Sequence, residues 1–96
     1  MFLIQLEFST NKADAPRHME GHNAWLRRGF DDGVFLVAGS LRSSQGGAVL
    51  AAGVSLEGLR ERVGQEPFVA HDVVRPTIIE FGAAKADPRL QFLVEA

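Results

Sequence analysis

Three histidines, His18, His22 and His71, are the side chains of this 96-residue chain whose ordinary titration falls near neutral pH. Carboxylates able to orient them are Asp14, Asp31, Asp32, Glu66 and Asp72. A histidine held by a carboxylate can take and return a proton, because the carboxylate selects the tautomer and supports the imidazolium. Other chemistries lack their residues. The chain has no cysteine, no serine in a nucleophile-elbow setting, and no glycine-rich loop leading from a strand into a helix, since Gly46-Gly47 falls inside a hairpin pattern.

His22 carries the most information. It interrupts an apolar stripe of Ala15, Met19, Leu26 and Phe30, where helical spacing asks for leucine or isoleucine. Either it is a core histidine satisfied by a hydrogen bond, or it is a general base at the mouth of a pocket between helix and sheet. His18 lies one turn earlier, and Asp14 one turn before that. The His-x-x-x-His spacing suits two metal ligands, but zinc needs three or four and the zincin glutamate is absent, so no metal is expected. Arg17, at the helix start, is either an anion contact or a solvated charge. Asp31 and Asp32 read as turn residues, and Glu66 before Pro67 reads as the close of the second helix.

In the last strand, alternation puts Asp72, Val74, Pro76 and Ile78 on one face, with His71, Arg75 and Thr77 on the other. His71 and Asp72 form a candidate second acid–base pair, although neighbours in a strand point apart. Pro76 cannot donate to a ladder, so it marks either an edge strand or an irregularity beside a cavity.

These residues are positioned by six elements. Residues 2–8 alternate apolar and polar as a strand, and an amphipathic helix follows the polar connection 9–15, running from the Asp14–Pro16 cap to about Phe30. Strands are expected over 34–41 and 48–54, joined by a hairpin loop at 43–47. A short helix capped by Ser55 runs through Val63, stopped by Gly64 and Pro67, and the last strand covers 72–81. The order β-α-β-β-α-β predicts a ferredoxin-like α+β fold, with helices on one face of the sheet. Residues 1–82 form this domain, and 83–96 form a tail whose Leu90, Phe92 and Val94 alternate.

A chain this short buries only about two-thirds of its unfolded surface. Covering the bare sheet face with a second copy would complete a dimeric α+β barrel, so a homodimer is expected, with the tail free to pack on the partner. Hydrophobic residues make up 46% and charged residues 23%, an ordinary globular balance. Ten basic residues are scattered among twelve acidic ones for a net charge of −2, which argues against nucleic acid as a ligand. No apolar stretch approaches the roughly 20 residues of a membrane span, and Met1 leads into Phe-Leu-Ile-Gln-Leu-Glu-Phe without a basic leader region. The expectation is a cytoplasmic protein without membrane contact.

Three segments resemble the YCII family of dimeric α+β barrel proteins: His22-Asn-Ala-Trp-Leu, Asp32-Gly-Val-Phe-Leu-Val-Ala-Gly-Ser-Leu, and Glu66-Pro-Phe-Val. The resemblance spans residues 1 to about 81. In that family a helix-borne histidine precedes an Ala-Gly-Pro-like strand and pairs with an aspartate in a proposed His–Asp catalytic centre. His22 before Ala38-Gly39-Ser40 matches, with Ser40 at the usual proline. The family's Asp-Pro-Phe or Asp-Pro-Tyr appears as Glu66-Pro67-Phe68. Asn11 replaces in register the acidic residue after the first strand, with Asp14 close by, and Met19 stands at a frequent arginine. The carboxylate partner of His22 is therefore open, with Asp14 first and Asp72 and Glu66 behind it.

The resemblance implies a cofactor-free carbon–halide lyase that removes HCl from a chlorinated hydroxyhydroquinone. It would use His22, Asp14 and Pro76 as catalytic residues and Arg17, Ser40, His71 and Asp72 as contacts to a small aromatic substrate. Trp25, Phe35 and Phe68 are candidate walls for the ring. The alternatives are a ring or lactone isomerase or oxygenase of the same fold, or a non-catalytic dimeric binding protein with a structural His22.

Overall fold

The alternating first segment forms β1 (Phe2–Phe8), and its buried residues Phe2, Ile4 and Leu6 face the same side. A 3-10 turn (Lys12–Asp14) leads into α1 (Ala15–Asp31), which has a proline in its first turn and ends at Gly33, a left-handed residue with φ +73°. Then come β2 (Phe35–Ser40), β3 (Gly46–Ala51), α2 (Leu56–Gly64), α3 (Pro67–Ala70) and β4 (Val74–Glu80), with a second 3-10 segment (Pro88–Leu93) in the tail. This computed structural model describes residues 1–95.

The four strands lie in the order β2-β3-β1-β4, every neighbouring pair antiparallel, which is the ferredoxin-like topology. Phe2, Ile4 and Leu6 join Phe35, Val49, Ala51 and Val74 against Trp25 of α1, Leu59 and Val63 of α2, and Phe68 of α3. Gly29 makes the α1–sheet contact possible: a Cβ there would lie 1.9 Å from the Phe35 ring. The opposite face of the sheet leaves Val37 61% and Ile79 45% exposed. Among the described residues no helix is long and apolar enough to cross a membrane.

The elements differ from expectation in several places. On α1, Met19 and Phe30 of the expected apolar stripe are each 43% exposed while Trp25 and Gly29 are buried, and β3 ends at Ala51. The hairpin is tighter than residues 43–47, because Gly46 and Gly47 already pair with Glu7 and Leu6 as part of β3. Only glycine fits at position 46, where φ is +140° and a Cβ would stand 1.8 Å from the Leu6 carbonyl oxygen. Glu66 and Pro67 do not merely stop α2. They open α3, with Glu66 as its N-cap. The 72–81 strand starts later, at Val74, because Asp72 takes a left-handed turn conformation with φ +56°. Finally, the alternating tail forms a 3-10 turn, started by Pro88 and by the Asp87 side chain accepting from the Arg89 N–H, with one bridge from Ala83 to Val94. Ala96, the last residue of the expected tail, lies outside the described residues.

Candidate active site

The turn that begins at Glu66 builds the site. An extended Glu66 followed by Pro67 at the first helical position sets up α3, and the Glu66 Oε2 accepts the Val69 N–H at 3.1 Å. The other oxygen, Oε1, lies 2.8 Å from Nδ1 of His22 on α1. Glu66 is wholly buried, whereas the His22 side chain keeps 17% of its surface exposed. A carboxylate deprived of water is tolerated only when paired and hydrogen-bonded, and both oxygens of Glu66 have partners.

With Glu66 accepting from Nδ1–H, the imidazole carries its proton on Nδ1 and presents Nε2 as an acceptor. Among the described residues Nε2 has no hydrogen-bond partner, yet no buried side-chain nitrogen or oxygen is unsatisfied, so Nε2 is open to solvent. The Phe68 ring lies parallel to the imidazole, centroids 4.2 Å apart and planes within 5°.

His22 and Phe68 border a cavity of about 340 Å³ between α1 and the sheet, a volume suited to a small organic ligand. Its remaining walls are mainly apolar: Leu6, Phe8 and Val49 from the sheet, Met19 and Leu26 from α1. Three lining residues carry polar side chains, His22, Asn23 and Ser40, and none bears a permanent charge. The arrangement equips the cavity to accept a proton from a bound hydroxyl and to hydrogen-bond neighbouring oxygens, while keeping most of the ligand in apolar surroundings.

Of the residues expected at the site, His22, Ser40 and Phe68 border the cavity. The carboxylate on His22 is Glu66, not Asp14. Asp14 is the exposed residue before α1, eight positions and so about 12 Å of helix from His22. Asp72 is excluded from that role by its place in the turn before β4, where its backbone carbonyl accepts the Ser9 hydroxyl and its side chain is exposed. His71 and Asp72 form no acid–base pair over the cavity, since His71 stacks instead on His18 with centroids 4.0 Å apart. Arg17 is exposed on α1 and lies outside the lining. Pro76 sits on β4, an edge strand, opposite Leu6 and outside the lining, so the missing N–H reflects an edge position. Trp25 and Phe35 are core, the Trp25 indole donating to the Arg62 carbonyl at 2.9 Å.

Asn23 was not legible as a site residue, because it stands outside the apolar stripe like any solvated helix position. Glu66 carried a usable signal: an acidic residue directly before proline is an N-cap pattern, and an N-cap carboxylate is already oriented by backbone.

The fold and site define a small ferredoxin-like α+β protein with a carboxylate-anchored histidine at an apolar cavity. A solved structure of similar fold is 5-chloro-2-hydroxyhydroquinone dehydrochlorinase from Burkholderia phenoliruptrix in complex with 2,5-dihydroxybenzoquinone. It superposes with a TM-score of 0.71, covering 85% of this chain and 93% of that chain, at 14% sequence identity. At that identity the likeness is one of fold. No protein-family model and no curated protein matches the chain.

Proposed function

We propose that this protein is a dehydrochlorinase that removes HCl from a chlorinated hydroxyhydroquinone by proton transfers alone. The observation that carries this reading is the His22–Glu66 pair: Nδ1 is anchored on a buried carboxylate while Nε2 is free beside an apolar cavity. The fold it shares with a dehydrochlorinase supports the same reading.

In this reading His22 Nε2 takes the proton of the hydroxyl ortho to the C–Cl carbon, and the imidazolium returns it to that carbon, giving a ketone with an sp3 CHCl centre. His22 then takes the proton of the hydroxyl para to the new ketone. The electron pair released at that oxygen moves through the ring and expels chloride. One C–H bond forms and one C–Cl bond breaks. The ring is oxidised by two electrons to the hydroxybenzoquinone as the carbon–chlorine bond is reduced, and the net loss is HCl. Glu66 stabilises the imidazolium in both steps, and Asn23 and Ser40 hold the ring oxygens as charge develops on them.

The working unit is a homodimer in this proposal. The sheet face away from the helices exposes Val37 and Ile79 beside the half-buried Leu3 and Leu50, an apolar strip that a second copy would cover.

The test is chloride release from 5-chloro-2-hydroxyhydroquinone under anaerobic conditions, with an enzyme-free control. Catalysed release that is lost in His22→Ala and strongly reduced in folded Glu66→Gln supports the proposal. Release no faster than the control, or undiminished in His22→Ala, overturns it.

A further inference from the structure

Glu66 and Phe68 constrain His22 in different ways. A hydrogen bond along Nδ1–H leaves the imidazole free to tilt about that axis, and Nε2 would then sweep an arc. A ring stacked flat on the imidazole removes this freedom. Phe68 is 5% exposed and lies 4.2 Å from the imidazole with the planes 5° apart. Both constraints come from the same four-residue helix, Phe68 standing two positions after the Glu66 cap.

Further contacts hold that helix on α1. His71, the C-cap of α3, stacks on His18 with centroids 4.0 Å apart and planes within 8°. His18 and His22 are one turn apart on α1, and Phe68 and His71 are one turn apart across α3, so the two stacks are parallel rungs between the helices. Between them Gly21 lets α3 approach closely: a Cβ there would lie 3.0 Å from Cγ of Pro67.

We infer that Phe68 is a positioning residue for His22, fixing the plane of the imidazole so that Nε2 is presented to the cavity, and that the His18–His71 stack keeps α3 in the register this requires. The inference rests on His22 as the base of the proposed function, but its first readout needs no substrate. Phe68 does not act on the substrate in this role. It acts through the histidine.

The experiment compares the wild type, Phe68→Leu and Phe68→Tyr by nitrogen-15 NMR of the His22 imidazole, with folding followed by circular dichroism. Wild-type His22 is expected in a single Nδ1–H tautomer with a protected Nδ1 proton. Phe68→Leu, which keeps apolar volume but removes the flat face, should leave the tautomer that Glu66 selects but loosen the Nδ1–H···Oε1 contact, so that the proton exchanges with water and its signal is lost. Where chloride release is measurable, its kcat should fall about 10- to 100-fold with KM little changed. Phe68→Tyr should recover the signal.

A folded Phe68→Leu protein whose Nδ1 proton stays as protected as in the wild type overturns the inference. Should Phe68→Leu not fold, His71→Ala at its exposed position removes the second rung, and the same loss of the Nδ1 proton signal is expected. Unchanged His22 resonances in that variant overturn the inference equally. A wild type that releases no chloride, with variants that still lose the Nδ1 proton signal, refutes the proposed reaction and leaves the positioning role standing.

Discussion

His22 and Glu66 are 44 residues apart in sequence, and their side chains meet at 2.8 Å, Nδ1 on Oε1. Neither partner is replaceable in isolation. Removing the imidazole strands a carboxylate that is entirely buried, and removing the carboxylate frees the imidazole to change tautomer and tilt.

The pair should therefore be strongly coupled in stability. His22→Ala is expected to cost about 3 kcal/mol, near the low end for breaking a buried pair because the histidine is partly exposed. The double variant with Glu66→Ala should cost less than the sum of the two single changes by about 1–3 kcal/mol. Urea denaturation of the four proteins measures this, and strictly additive losses would show that the contact does not couple the residues.

Gly46 should be far less tolerant than Gly64. Gly46→Ala forces a Cβ to within 1.8 Å of the Leu6 carbonyl oxygen at φ +140°, so a loss of about 2–3 kcal/mol is expected, with distortion of the cavity wall that Gly46 helps form. At Gly64, in the last turn of α2, a Cβ meets nothing within 4 Å, and Gly64→Ala should gain about 0.5 kcal/mol. Thermal melts of the two variants decide it, and equal effects would contradict this account of the β1–β3 contact.

The proposed homodimer makes the sheet face sensitive to charge. Val37→Glu combined with Ile79→Glu introduces four carboxylates into a two-copy interface while leaving the helix-facing core intact. Sedimentation should show the wild type as a dimer and the double variant as a folded monomer. A wild type that sediments as a monomer at micromolar concentration would end the dimer proposal.

The tail should loosen in acid before the domain does. The Arg89 backbone N–H, and after it the Arg89 side chain, donate to the Asp87 carboxylate and hold its pKa below the ordinary aspartate range. A carboxyl whose pKa is lowered by folding stabilises the folded form above its unfolded pKa, near 4, and that contribution disappears as pH falls through the folded value. Amide exchange at Arg89 should accelerate as pH is lowered through that window, relative to its intrinsic rate, while β1 amides stay protected. Asp87→Asn should exchange faster already at neutral pH and lose this dependence, and a wild-type profile in that variant would refute the assignment.

How much of this was legible in the chain follows from the range of the forces involved. Alternation in residues 2–8 and the three- and four-residue spacing of α1 are local patterns, and they defined β1 as Phe2–Phe8 and α1 to within a residue or two of Ala15–Asp31. The order of elements restricted the topology to the ferredoxin-like arrangement, because few unknotted sheets accommodate it. His22 stood out for the same reason, as a polar residue at an apolar position of the helical spacing.

The carboxylate that would meet His22 was not a local property. Asp14 is near in sequence but about 12 Å away along the helix, whereas Glu66 is far in sequence and in contact. The choice depends on α3 docking against α1, through the close approach at Gly21 and the two ring stacks. The same holds for Pro76, whose meaning depended on β4 being an edge strand, and for the tail, where Pro88 and the Asp87 cap overrode the alternation of Leu90, Phe92 and Val94. Sequence by itself determined in what order the elements run and which face of β1 is buried, whereas on α1 Met19 and Phe30 stay 43% exposed and Trp25 and Gly29 fill the core instead. Only the tertiary structure decided which buried polar groups satisfy one another, since hydrogen bonds act over about 3 Å in space without regard to distance along the chain.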